Sequence, residues 1–157
     1  MKRVSFLLIL LVIITMFFDT SAYSQTPFKV ASKNGIILCL VVPPTTTEKQ
    51  LTDLIYKFKQ AKRDNTLSSL IPPINLGLPD KYTMFIIYIF NDQKWATSEK
   101  YKEYEYANDK TSKGRAISKA YINHIVAYYE YDMNGKEYGT LGYDEGGDKS
   151  KRYKKLF

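Results

Sequence analysis

Cysteine, histidine and tryptophan each occur once in this 157-residue chain. A single cysteine, Cys39, excludes an intrachain disulfide. Cys39 and His124 together cannot supply the three or four ligands of an ordinary His/Cys zinc site. No nucleophile elbow of the form G-x-S-x-G occurs, no Walker loop and no G-x-G-x-x-G. No motif implies a cofactor. Asp132-Met133-Asn134-Gly135 begins like a calcium loop, but the oxygen ligands that should follow are missing. Asp144, Glu145 and Asp148 flank Gly146-Gly147, which reads first as an acidic turn.

The first residues set an expected destination. Lys2 and Arg3 precede an apolar run from Phe6 to Phe18, and Ala22-Tyr23-Ser24 offers small residues before Gln25. This is the layout of a secretory signal peptide over 1–24, with cleavage before Gln25. The apolar run would span only ~20 Å as a helix, against ~30 Å of bilayer hydrocarbon. An uncleaved membrane tether is the competing reading. The expectation is an exported protein, periplasmic, surface-bound or extracellular, with one domain over 25–147.

Positive charge is unevenly placed. The chain carries a formal +7, and much of the excess lies in residues 148–157, DKSKRYKKLF. There Lys149, Lys151, Arg152, Lys154 and Lys155 surround Tyr153 and face a lone Asp148. The segment reads as a basic tail whose cations attract an anionic surface, with Tyr153, Leu156 and Phe157 adding contact. A solvated terminus is the competing reading. On either reading, deleting 148–157 should leave stability nearly unchanged. Nucleic acid ranks lowest as a partner, because an exported protein seldom meets it and the rest of the chain has no dense basic patch.

Hydrophobic periodicity gives the fold. Asn34-Gly35 separates strand-like stretches near 27–32 and 36–42. The second is apolar on both faces, as a covered central strand is. Capping signals at Thr45 and Thr47 open a helix that places Leu51, Leu54, Ile55 and Phe58 on one face up to Arg63. Residues 64–82 read as a long loop with three prolines, and TMFIIYIF at 83–90 as a second central strand. Short helices follow near 98–107 and 115–122. A hairpin over 124–132 and 136–143 turns at Asn134-Gly135. The order ββαβααββ predicts an α+β two-layer sandwich, its mainly antiparallel five-stranded sheet covered by helices.

The aromatic stretch HIVAYYEYDMNGKEYGTLGY, 124–143, contains the chain's histidine. Strict alternation would put Ile125, Ala127, Tyr129 and Tyr131 toward the core. His124, Val126, Tyr128 and Glu130 would then share the more exposed face, making Tyr128 the candidate surface aromatic. Trp95, just after a central strand, is either a ligand-stacking platform or a plug over the sheet edge. His124 is the one candidate for acid–base catalysis. It would need a carboxylate, with Asp132, Asp144 and Glu145 as the available set for a small hydrolase, or Cys39 as a nucleophile. Burial of Cys39 argues against the latter. The leading expectation is a non-catalytic domain that binds a protein or an anionic envelope surface.

Overall fold

The computed structural model describes residues 26–71, 84–107, 111–145 and 148–157. The signal peptide expected over 1–24 and most of the proline-rich stretch expected as a loop over 64–82 lie outside the described residues. No described helix is long and apolar enough to cross a membrane.

Strands β1 (Lys29–Asn34) and β2 (Ile37–Val41) form the first hairpin, with Gly35 at φ +59°. Only glycine adopts that left-handed conformation without a Cβ penalty. Helix α1 (Glu48–Arg63) follows, then a single turn α2 (Leu67–Leu70) and strand β3 (Phe85–Phe90). Thr47 and Gln50 close a reciprocal capping box at the start of α1. Helices α3 (Ser98–Tyr106) and α4 (Ser112–His124) lead into β4 (Ile125–Tyr131) and β5 (Glu137–Leu141). Gly135 turns this second hairpin at φ +76°. Asp132 accepts hydrogen bonds from the N–H groups of Asn134 and Lys136, so its carboxylate serves the turn. Short strands β6 (Asp144–Glu145), β7 (Asp148–Lys149) and β8 (Lys154–Lys155) end the chain.

The α+β class and the mainly antiparallel sheet are as the sequence implies. The sheet runs β1-β2-β3-β4-β5-β8, six strands rather than five, and β6 pairs with β7 separately. β2 and β3 are parallel, and the α1 segment supplies the crossover that such a pair requires. Helices lie on both faces. Leu51, Leu54, Ile55 and Phe58 of α1 join Leu38, Leu40, Ile87, Ile89 and Tyr129 on one side. On the other, Tyr101, Tyr104, Tyr121 and Ile122 of α3 and α4 pack with Cys39, Tyr88, Phe90 and Tyr128. This explains why β2 and β3 are apolar on both faces. Truncating the cluster beneath α1 should be costly: Leu54→Ala and Ile87→Ala should each lose roughly 2–5 kcal/mol in chemical denaturation, as buried aliphatic truncations do.

Two expectations from strict alternation fail, for physical reasons. The register between β3 and β4 slips between Ile89 and Phe90, so Phe90 pairs with Ile125 while Ile89 pairs with Ala127. This bulge turns Ile125 into the Tyr88–Tyr121 cluster, away from Ala127 and Tyr129. Tyr128, expected at the surface, is only 7% exposed, because α4 and the segment after β5 cover its face. Its ring lies 4.8 Å from Tyr143 and 5.8 Å from Tyr88. Tyr129 is fully buried, as expected, and its hydroxyl donates to Glu137 at 2.7 Å.

The basic tail is corrected most. It is not a free terminus. β8 pairs with β5, setting Lys154 opposite Leu141 and Lys155 opposite Thr140. The Leu156 N–H donates to the Gly139 carbonyl at 2.9 Å. The Phe157 ring sits 5.3 Å from that of Tyr56 and 6.3 Å from that of Tyr129, with the Lys59 ammonium 3.6 Å over it. Leu156 and Phe157 therefore pack against the core cluster as partly buried side chains.

Candidate functional site

His124 is not on a strand; it closes α4. Its Nδ1 lies 2.7 Å from the Ala120 carbonyl. A carbonyl only accepts, so Nδ1 carries the proton, and Nε2 is the remaining polar atom of the ring. Trp95, in a short 3₁₀ turn after β3, stacks on the imidazole at 3.9 Å and 14°. That turn is fixed by Asp92, which accepts the Lys94 N–H at 3.0 Å. The same hydrogen bond is the main reason the Asp92 carboxyl is held below its usual range; the Lys94 ammonium and His124 pull in the same direction. Trp95 is thus neither an open platform nor a plain plug. Half-buried, it fixes the histidine ring.

The tail completes the site. After β5 the chain reverses at Gly142, at φ +65°, whose N–H donates to the Val126 carbonyl at 2.8 Å. Ser150 is then buried beside it. The Ser150 N–H donates to the Tyr143 carbonyl at 2.8 Å, and its Oγ accepts the Tyr143 N–H at 3.0 Å. A Cβ at Gly142 would strike that Oγ and come within 3.0 Å of the Arg152 and Tyr153 backbone. This close approach swings Lys151 and Arg152 against the end of α4. A cleft of about 320 Å³ results, lined by Asn91, Asn123, His124, Ser150, Lys151 and Arg152. Ile125 and Val126 add an apolar floor, and none of the lining residues is acidic, so amide, imidazole and two basic residues make a donor-rich border suited to an anion.

The structure separates the expected candidates into groups. Trp95, His124, Lys151 and Arg152 come together. Lys154 and Lys155 are exposed on the edge strand β8. Lys149 is drawn away, 3.8 Å from Asp144 and 4.9 Å from the Tyr153 ring. Tyr128 and Tyr153 belong to a different cavity.

The sets considered for catalysis do not assemble at His124. Asp132 is at the far end of β4, about 25 Å away at strand rise. Asp144 faces Lys149. Cys39 is fully buried, its thiol 3.7 Å from the Tyr121 hydroxyl. Burial pushes that thiol up in pKa, and hydrogen bonds from Ser32 and Tyr121 offset this only in part. Among the described residues no carboxylate hydrogen-bonds His124, and no group of three or more His, Cys, Asp or Glu side chains is placed to hold a metal ion.

Sequence reasoning missed Asn91 and Asn123. Asn91 directly follows β3 and Asn123 lies in the last turn of α4, both legible elements, but nothing local marks the two as neighbours. Comparison of the chain with protein-family models, curated proteins and solved structures returns no match.

Proposed function

We propose that this is an exported, non-catalytic α+β domain that binds an anionic envelope surface or an acidic protein through Lys151, Arg152, Lys154 and Lys155. The observation that carries the reading is the anchoring of the tail. Ser150 on one side and Leu156-Phe157 on the other are tied to the domain, while the cations between them point outward. A fixed array loses less conformational freedom on binding than a free tail of the same sequence. The cleft at His124 extends the array inward and gives one anionic group a defined seat. Lysines on an edge strand also discourage strand pairing between chains, a role compatible with this one.

The test separates charge from fold. The variant carrying Lys151→Ser, Arg152→Ser, Lys154→Ser and Lys155→Ser keeps both anchors. It should melt near wild type and lose retention on vesicles containing anionic phospholipid at low salt. Wild-type retention should fall steeply as the Debye length shortens from ~10 Å at 0.1 M to ~3 Å at 1 M. A parallel arm with immobilised polyglutamate distinguishes the two partner classes: capture there without vesicle retention assigns an acidic protein. Equal retention of variant and wild type in both arms would end the proposal.

A further inference from the structure

A second cavity, of about 390 Å³, is separate from the basic array and opposite to it in chemistry. The β4–β5 register sets Tyr128 opposite Thr140 and Glu130 opposite Tyr138. The four side chains therefore rise from one face of the sheet as a two-by-two block. Tyr143, Asp144 and Tyr153 complete the walls. The result is four phenol rings and two carboxylates around a space within the range of small-molecule sites.

The rings and carboxylates of this lining favour a cation. Aromatic ring faces carry negative potential and attract ammonium groups held within about 6 Å of the ring centre. Glu130 and Asp144 add full charges. The Tyr128 hydroxyl donates to one Glu130 oxygen, which fixes the carboxylate against the pocket wall. Two of the chain's own ammonium groups already lie over rings that line it. Lys149 lies 4.9 Å from the Tyr153 ring centre and 3.8 Å from the Asp144 carboxylate. Lys136 lies 4.7 Å from the Tyr138 ring centre, and hydrogen bonding to that phenol raises the pKa of its ammonium. Two ammonium groups seated on two of the four rings show how an incoming one would be held.

We propose that the cavity formed by Tyr128, Tyr138, Tyr143, Tyr153, Glu130 and Asp144 binds an alkylammonium cation. Its rings supply contact that a hydrated metal cation cannot match, and its carboxylates supply the charge. The ligand is either a free amine or quaternary amine, or the ammonium of a lipid headgroup; both present the same chemistry to the site. Nothing in this proposal depends on the four cations of the preceding section.

The experiment uses the full chain and choline as the probe. Ring currents should move the choline methyl proton resonances upfield, with saturation, and sodium at equal ionic strength should leave the shift in place. Lys149→Met removes the resident ammonium from Tyr153 and Asp144 without touching the core. It should tighten choline binding about two- to fivefold. Tyr153→Leu should weaken binding about two- to fivefold, and Glu130→Gln should weaken it as well. Retention on phosphatidylcholine vesicles that free choline abolishes would assign a headgroup; saturation by choline without vesicle retention would assign a soluble ligand. Absence of a saturable upfield shift, or equal affinity in wild type and all three variants, overturns the proposal.

Discussion

Deleting residues 148–157 is expected to destabilise the protein by roughly 4–6 kcal/mol, not to leave it unchanged. Leu156 and Phe157 are half-buried, so each truncation should cost about 2 kcal/mol, below the value for a full core truncation. Lost β5–β8 hydrogen bonds add about 1 kcal/mol each. The deletion also uncovers Tyr129 and Ile55. A Cβ at Gly139 would come within 2.7 Å of the Ile55 side chain and strike the Phe157 ring, which shows how tightly the terminus fits against β5. Chemical denaturation of the full and truncated chains measures the difference. The charge-only variant is the control: exposed substitutions away from packed groups usually stay within about 0.5 kcal/mol each. A truncated chain that unfolds at the wild-type midpoint would mean that β8 and Phe157 do not hold to the sheet, and the basic array would then have no fixed geometry.

The same segment shows where sequence reading succeeds and where it stops. Asn34-Gly35 and Asn134-Gly135 carry their turns in two residues, so both hairpins were legible. Thr47 and Gln50 carry the start of α1. The runs at 36–42 and 83–90 show burial on both faces, and β2 and β3 are the covered strands this requires. β8 carries no such signal. It is two lysines long, and its pairing is fixed by Phe157 binding beside Gly139, a contact between positions that only the fold brings together. Tyr128 and Tyr129 make the same point in side-chain terms. Alternation correctly puts them on opposite faces, but which faces are covered depends on α1, α3 and α4, all distant in sequence. Ile125 was lost to a single bulge. At the candidate site Trp95 and His124 stood out by rarity, and Lys151 and Arg152 by charge. Their meeting depends on the reversal at Gly142 and could not be read locally.

Alkaline pH should unfold the protein abruptly, and the tyrosines explain why. The hydroxyls of Tyr88, Tyr121, Tyr128 and Tyr129 are all held well above the ordinary tyrosine pKa, in each case chiefly by burial, which disfavours the phenolate. Hydrogen bonds donated to Glu130 and Glu137 add to the shift for Tyr128 and Tyr129. Tyr101 is pushed up to about 12, by burial first and then by Glu105. Below about pH 10 these residues are protonated in both states and the shifts have no effect on stability. Above it the unfolded chain releases its phenol protons while the folded chain keeps them. The unfolded state then binds fewer protons, so stability falls with rising pH. Each phenol retained in full contributes a slope of about 1.4 kcal/mol per pH unit. Four acting together give roughly 5–6 kcal/mol per unit, comparable to the whole stability of a small domain. Unfolding should therefore be complete within about two pH units above 10, before the buried phenols could ionise in place. Far-ultraviolet circular dichroism and tyrosinate absorbance, followed together, decide the matter. The expected record is an early rise in absorbance from exposed tyrosines with the fold intact, then a steep second rise that coincides with loss of ellipticity. Smooth ionisation of every tyrosine near pH 10 without loss of structure would show that the aromatic layers on either side of the sheet are open to water.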